Sequence, residues 1–104
     1  MEKANVTITL NKGNPDVLEF LQNYDMKVSG LNPGTWVQIV VTIDDNRGNV
    51  TNPDIQAHML DETTTYINTR FKTPGERYRE GSLTVTVRNV SADELLAKRV
   101  FRFQ

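Results

Sequence analysis

Between residues 31 and 60, in LNPGTWVQIVVTIDDNRGNVTNPDIQAHML, apolar side chains recur at every second position. Val37, Ile39, Val41 and Ile43 take one parity and Trp36, Gln38, Val40 and Thr42 the other, the period that puts alternate residues on opposite faces of a strand. β-Branched side chains dominate the run, and their stiff χ1 suits a pleated, half-buried surface better than a helix. The alternation stops at Asp44-Asp45-Asn46-Arg47-Gly48-Asn49, where short polar side chains bond local backbone and Gly48 takes positive φ without steric cost. A second alternating run follows over 54–60, with Ile55, Ala57 and Met59 against Gln56, His58 and Leu60, so the pattern predicts two strands across a polar turn.

The same period recurs elsewhere. Val6, Ile8 and Leu10 alternate with Thr7 and Thr9, and Leu83, Val85 and Val87 with Thr84, Thr86 and Arg88. Phe101 and Phe103 alternate with Val100 and Arg102 in a last run over 99–104, expected to close a sheet beside residues 82–90. Shorter strands are expected over 26–31, before the Asn32-Pro33-Gly34 turn, and from Tyr66 through Phe71. Two segments read two ways. In PDVLEFLQNYD, over 15–24, Asn14 as N-cap and Pro15 at the first helical position favour a short helix with Val17, Leu18, Leu21 and Tyr24 on one face, while alternation also permits a strand paired with the first. Residues 91–97 read as a brief capped helical turn or a long hairpin loop.

About seven short strands separated by Gly, Pro, Asn and Asp predict an all-β, immunoglobulin-like antiparallel β-sandwich, with one short helix near 15–24. At 104 residues, 38% of them apolar, the chain is expected to form a single domain over 1–104.

The run GTWVQIVVTIDDNRGNVTNPDIQAHML, with GSLTVTVRNV followed by AKRVFRFQ as a closing hairpin, resembles bacterial immunoglobulin-like domains such as those of surface adhesins and phage virion proteins. LNPGTWVQIVV also looks like the approach to a late strand of fibronectin type III domains, with Val37 where that family has a tyrosine. The first resemblance implies a sandwich used for assembly or attachment: a structural module with a protein partner or copies of itself.

Composition narrows the chemistry. A net charge of -1 gives no reason to expect a nucleic-acid partner. The balance is uneven, however: acidic residues exceed basic ones up to Tyr66, and Arg70, Lys72, Arg77, Arg79, Arg88, Lys98, Arg99 and Arg102 reverse it. The ordinary reading of those cations is solvated strand faces, and the sharper one is a patch for an anionic partner. With no cysteine the chain has no disulfide, thiolate nucleophile or Cys-based zinc site. The N-terminus lacks the apolar core of a signal peptide and no run is long enough to span a bilayer, so membrane insertion is not expected. The expectation is a chain made in the cytoplasm, as a virion component would be, or an excised domain of an exported protein.

His58, the one histidine, is expected to point outward with Asp61 and Glu62 beyond it, and no nucleophile motif accompanies it; no catalysis is expected. Asp44, Asp45 and Asn46 offer oxygens without the alternating ligands and distal Glu of a calcium loop, and no Gly-rich phosphate cradle follows a strand, so neither metal nor cofactor is expected. Trp36 carries the most binding potential. It lies either in a second apolar layer with Val40, the fate that tryptophan's burial preference favours, or on the surface as an anchor for a protein or a sugar ring. Tyr66, Tyr78, Arg79, Arg88 and Arg102 complete the candidate contact residues, and a carbohydrate-binding module using exposed aromatics is the alternative function.

Overall fold

The computed structural model describes residues 5–103. Eight strands form two sheets packed face to face. β1 (Thr7–Leu10), β3 (Asn23–Ser29) and β6 (Tyr66–Lys72) make a three-stranded sheet in the order β1-β3-β6. β2 (Val17–Leu18), β8 (Glu94–Phe103), β7 (Ser82–Asn89), β4 (Trp36–Asp44) and β5 (Val50–Met59) make a five-stranded sheet in the order β2-β8-β7-β4-β5. Every pairing is antiparallel except that of β2 with β8. The fold is the expected immunoglobulin-like β-sandwich.

Alternation positions the core. Val37, Ile39, Val41 and Ile43 from β4 and Leu83, Val85 and Val87 from β7 are buried against Tyr24, Met26, Val28, Ile67 and Phe71 of the opposite sheet. Tyr24 stacks on Phe71 with centroids 5.7 Å apart and Phe71 meets Phe101 at 6.4 Å, an aromatic bridge from β3 and β6 to β8. The turns follow the expected chemistry. Gly48 sits at φ +91° and Gly34 at φ +75°. Asp44 Oδ1 accepts the Asn46 N–H at 2.7 Å and Asp45 Oδ1 the Arg47 N–H at 2.8 Å, local bonds that hold the turn.

Three expectations are corrected. Residues 15–24 form no helix. Asn14 sits at φ 52° and turns its side chain back to accept the Leu10 N–H, so it caps nothing, and Leu21 at φ 57° lies outside helical space. Leu18, wholly buried, enters the core as the short strand beside β8, and buried Thr73 then holds the bend that follows, accepting the Gln22 N–H at 2.9 Å and donating to the Glu19 carbonyl at 2.6 Å. The second correction is at the C-terminus, where β8 begins at Glu94 instead of near Arg99, after a tight turn with Asp93 at φ 48°. The one helical element among the described residues is a 3₁₀ turn at Glu76–Tyr78. Third, the parity of β5 is reversed. Val37, buried, faces His58, and Val40 faces Ile55, so His58 turns toward the interlayer side while Ile55, Ala57 and Met59 turn outward.

Polar groups close both rims of the sandwich. Arg99 shares the inward parity of Phe101 on β8, stacks over its ring at 4.6 Å and crosses to the other layer, donating to the Ile8 carbonyl at 2.9 Å, the Pro15 carbonyl at 3.2 Å, Asp16 Oδ1 at 3.0 Å and Asn14 Oδ1. At the opposite rim Thr69 of β6 donates to Gln56 Oε1 at 2.9 Å, and the Gln56 amide in turn donates to Asp54 Oδ2 at 2.7 Å. No buried side-chain polar atom among the described residues lacks a partner.

Candidate binding face

The register of the five-stranded sheet fixes what its outer face presents. Trp36 faces Met59 on β5, Gln38 faces Ala57, and Val40 faces Ile55. On the other flank Gln38 faces Arg88, Val40 faces Thr86 and Thr42 faces Thr84, with Lys98 and Val100 the next column out on β8. Directly opposed residues point to the same side of a sheet, so Met59, Trp36, Ala57, Ile55 and Val40 form one apolar stripe. Trp36 is 46% exposed, Ile55 58% and Met59 56%. These three alone leave about 300 Å² of side-chain surface to solvent, within the range of patches that on monomers are often functional. Trp36 therefore takes the surface fate, not the second apolar layer: the 15–24 segment packs beside β8 and leaves this face uncovered.

The stripe borders a basic half. Lys98 and Arg102 project from β8 and Arg88 from β7, where Arg88 Nη2 pairs with Asp93 Oδ1 at 2.7 Å. Arg102 shares a hollow at one end of the sandwich with Arg79, Asp44 and Ser82. Thus Trp36, Arg88 and Arg102 stand on one face and Arg79 lies at its corner. The tyrosines are elsewhere. Tyr66 is on the outer face of the three-stranded sheet with Lys27 Nζ 4.8 Å from its ring centre, and half-buried Tyr78 packs against the core under the Arg77 guanidinium. The other cations of the basic half-chain are dispersed: Arg70 pairs with Asp25 at 2.7 Å, Arg79 with Glu76 at 3.4 Å, and Arg99 lies at the rim.

Sequence reasoning missed Ile55 and Met59, because a period-2 pattern does not say which parity faces in, and β5 carries apolar residues on one parity and a polar set, Asp54, Gln56 and His58, on the other. The signal for Arg99 was present: it keeps the parity of Phe101 and Phe103 and so belongs inside.

His58 Nε2 lies 2.9 Å from Gln56 Oε1, and among the described residues no three His, Cys, Asp or Glu side chains converge as a metal set. The carboxylates that shift are structural. Asp61 falls to about 2 because the Thr64 hydroxyl and then the Thr63 N–H bond its charged form, and Asp45 is lowered chiefly by the Asn49 side-chain amide.

No protein-family model and no curated protein matches the chain. Solved structures do. Macromomycin aligns with TM-score 0.63 at 16% identity over 95% of this chain and 99% of that one. An immunoglobulin-like protein from Pseudomonas aeruginosa aligns with TM-score 0.60 at 10% identity, covering 95% and 91%. A superoxide reductase (neelaredoxin) from Ignicoccus hospitalis aligns with TM-score 0.60 at 14% identity, covering 96% and 80%. At such identities the likeness is one of fold, and the class it defines is the immunoglobulin-like β-sandwich.

Proposed function

We propose that this domain is a non-catalytic interaction module that works in assembly or attachment, in a virion or on a bacterial surface, through the outer face of its five-stranded sheet. The observation that carries the reading is the half-exposed cluster of Trp36, Ile55 and Met59 on neighbouring strands. A folded domain gains little from leaving those side chains in water, whereas aromatic and Met side chains are typical of interface centres. The setting in virions or on surfaces comes from the bacterial immunoglobulin-like domains that the sequence resembles. The partner complementary to this face presents apolar side chains to the β4–β5 half and carboxylates to Lys98 and Arg102. The test is affinity capture from the native source with wild-type, Trp36→Ala and Tyr66→Ala baits. A partner retained by Tyr66→Ala and lost by Trp36→Ala supports the reading, and capture indifferent to Trp36 contradicts it.

A carbohydrate-binding module is the second reading, favoured by the solvent-facing indole with Gln38 and Arg88 beside it as hydrogen-bonding groups. The apolar neighbours Ile55 and Met59 fit a protein better than a sugar. Glycan-array binding abolished by Trp36→Ala would reverse that order.

A further inference from the structure

Among the described residues no strand pairs with the outer side of β5, the last strand of the larger sheet. β5 is ten residues long, and it ends the order β2-β8-β7-β4-β5. The Leu60 N–H donates to the Thr35 carbonyl at 3.0 Å, so the backbone of Leu60 faces inward along the ladder to β4. Since backbone groups alternate in direction along an antiparallel strand, Ile55, Ala57 and Met59 turn their N–H and C=O groups away from β4, to the open edge. Natural edges are blunted by cations, proline or brevity. The remaining edges fit that rule: β1 and β2 are four and two residues long, and β6 carries Arg70 and Lys72. On β5, Pro53 offers no N–H, but from Ile55 to Met59 there is neither proline nor charge.

We propose that a second copy of this chain pairs antiparallel with β5, about a two-fold axis at Ala57, joining the two sheets edge to edge. The register is self-complementary. With Ala57 opposite Ala57 of the second copy, Ile55 faces Met59 and Met59 faces Ile55, so every open N–H and C=O of these residues finds a partner in about six backbone hydrogen bonds. Moving the axis to Gln56 would set Met59 against Pro53 and lose a donor. On the interlayer side Gln56 faces His58, a pair able to hydrogen-bond, and no like charges meet. On the outer face the stripes Trp36–Met59 and Ile55–Val40 of the two copies become continuous, and a net charge of -1 offers little repulsion. A contact through one strand edge is smaller than the roughly 800 Å² per partner of a standard interface, which places the dimer in the weak class. This inference does not rest on the Trp36 reading: self-association needs Ala57, whereas binding through the face needs Trp36.

Analytical ultracentrifugation of the full chain from ~0.02 to ~1 mM tests it. Wild type is expected to show a reversible monomer–dimer equilibrium, and Ala57→Pro, which removes an N–H that β4 does not use and whose fixed φ an edge strand accommodates, to stay monomeric with an unchanged circular dichroism spectrum. A wild type that remains monomeric at ~1 mM, or an Ala57→Pro variant that folds and dimerises as well as wild type, overturns the proposal. If Ala57→Pro does not fold, single cysteines in this cysteine-free chain decide. Opposed Cα atoms in such a pair lie about 5.5 Å apart, within disulfide range, so Ala57→Cys is expected to form a covalent dimer on mild oxidation well ahead of Asn68→Cys on β6. Equal rates at the two positions would contradict the two-fold at Ala57.

Discussion

The two sheets turn very different surfaces to solvent. The outer face of the three-stranded sheet is polar and internally paired: Asp25 accepts from Arg70 at 2.7 Å and from Asn11 Nδ2 at 3.2 Å, Lys27 covers Tyr66, and Thr9 donates to the Lys27 carbonyl at 3.3 Å. The outer face of the five-stranded sheet sets Trp36, Met59, Ala57, Ile55 and Val40 side by side. Both sheets bury one apolar face in the same core, so folding alone does not account for the difference. A self-satisfied polar face is what a domain leaves in water, and an apolar one, beside cations, is what it keeps for contact.

The largest expected effect separates the faces of a single sheet. Ile39→Ala, on the buried face of β4, is expected to cost about 3 kcal/mol, while Ile55→Ala on the outer face of β5 costs under about 0.5 kcal/mol; urea denaturation of both measures it. Comparable losses would mean that the outer face is covered and that the contrast fails.

Next in size is the tie between the layers. The Arg99 side chain is only 19% exposed and donates to the Ile8 carbonyl of the opposite layer as well as to the Pro15 carbonyl before β2, so Arg99→Ala is expected to lose about 2 kcal/mol in the same assay. Gln56→Ala, which breaks the neutral contact with Thr69 at the other rim, should lose about 1 kcal/mol. A result in the reverse order would show that β5 and its polar cluster, not β8, hold the sheets together.

How far the sequence carries can be read from these same residues. The alternation of β7 is legible because its outer parity, Thr84, Thr86 and Arg88, is polar, and that of β4 because its inner parity is an unbroken β-branched series from Val37 to Ile43; the turn residues around Gly34 and Gly48 tell where the chain reverses. β5 was legible as a strand but not as to its facing, since its inner parity is polar at the rim and its outer parity is apolar. The 15–24 segment misleads because Asn14 and Pro15 match a helix start locally, while Arg99, which donates to the Asn14 and Pro15 carbonyls and the Asp16 carboxylate, is 83–85 positions away in sequence. Trp36 is recognisable from its type and parity, but its companions on the face come from β5 and depend on register.

Smaller effects sharpen the polar side. The Arg70–Asp25 pair is well exposed, 67% and 53% by side chain, so Asp25→Ala should change stability by no more than about 0.5 kcal/mol and the difference should fade in high salt. Smaller still is the contribution of Asp61 at the turn after β5. Its folded pKa of about 2 lies below the ordinary 3.8, so the Thr63 and Thr64 bonds stabilise the fold fully above pH 3.8 and are lost as pH falls through about 2. An NMR titration of the Asp61 carboxyl with its midpoint near 3.8 would remove that assignment.

The central claim is that contact is made by the five-stranded face and not by its polar counterpart. A photo-cross-linking amino acid placed at Met59 on the first face, and in a separate variant at Asn68 on the second, tests it in the native cell. The account predicts a discrete adduct from position 59, with a partner or a second copy, and none from position 68. Adducts from position 68 alone would contradict it.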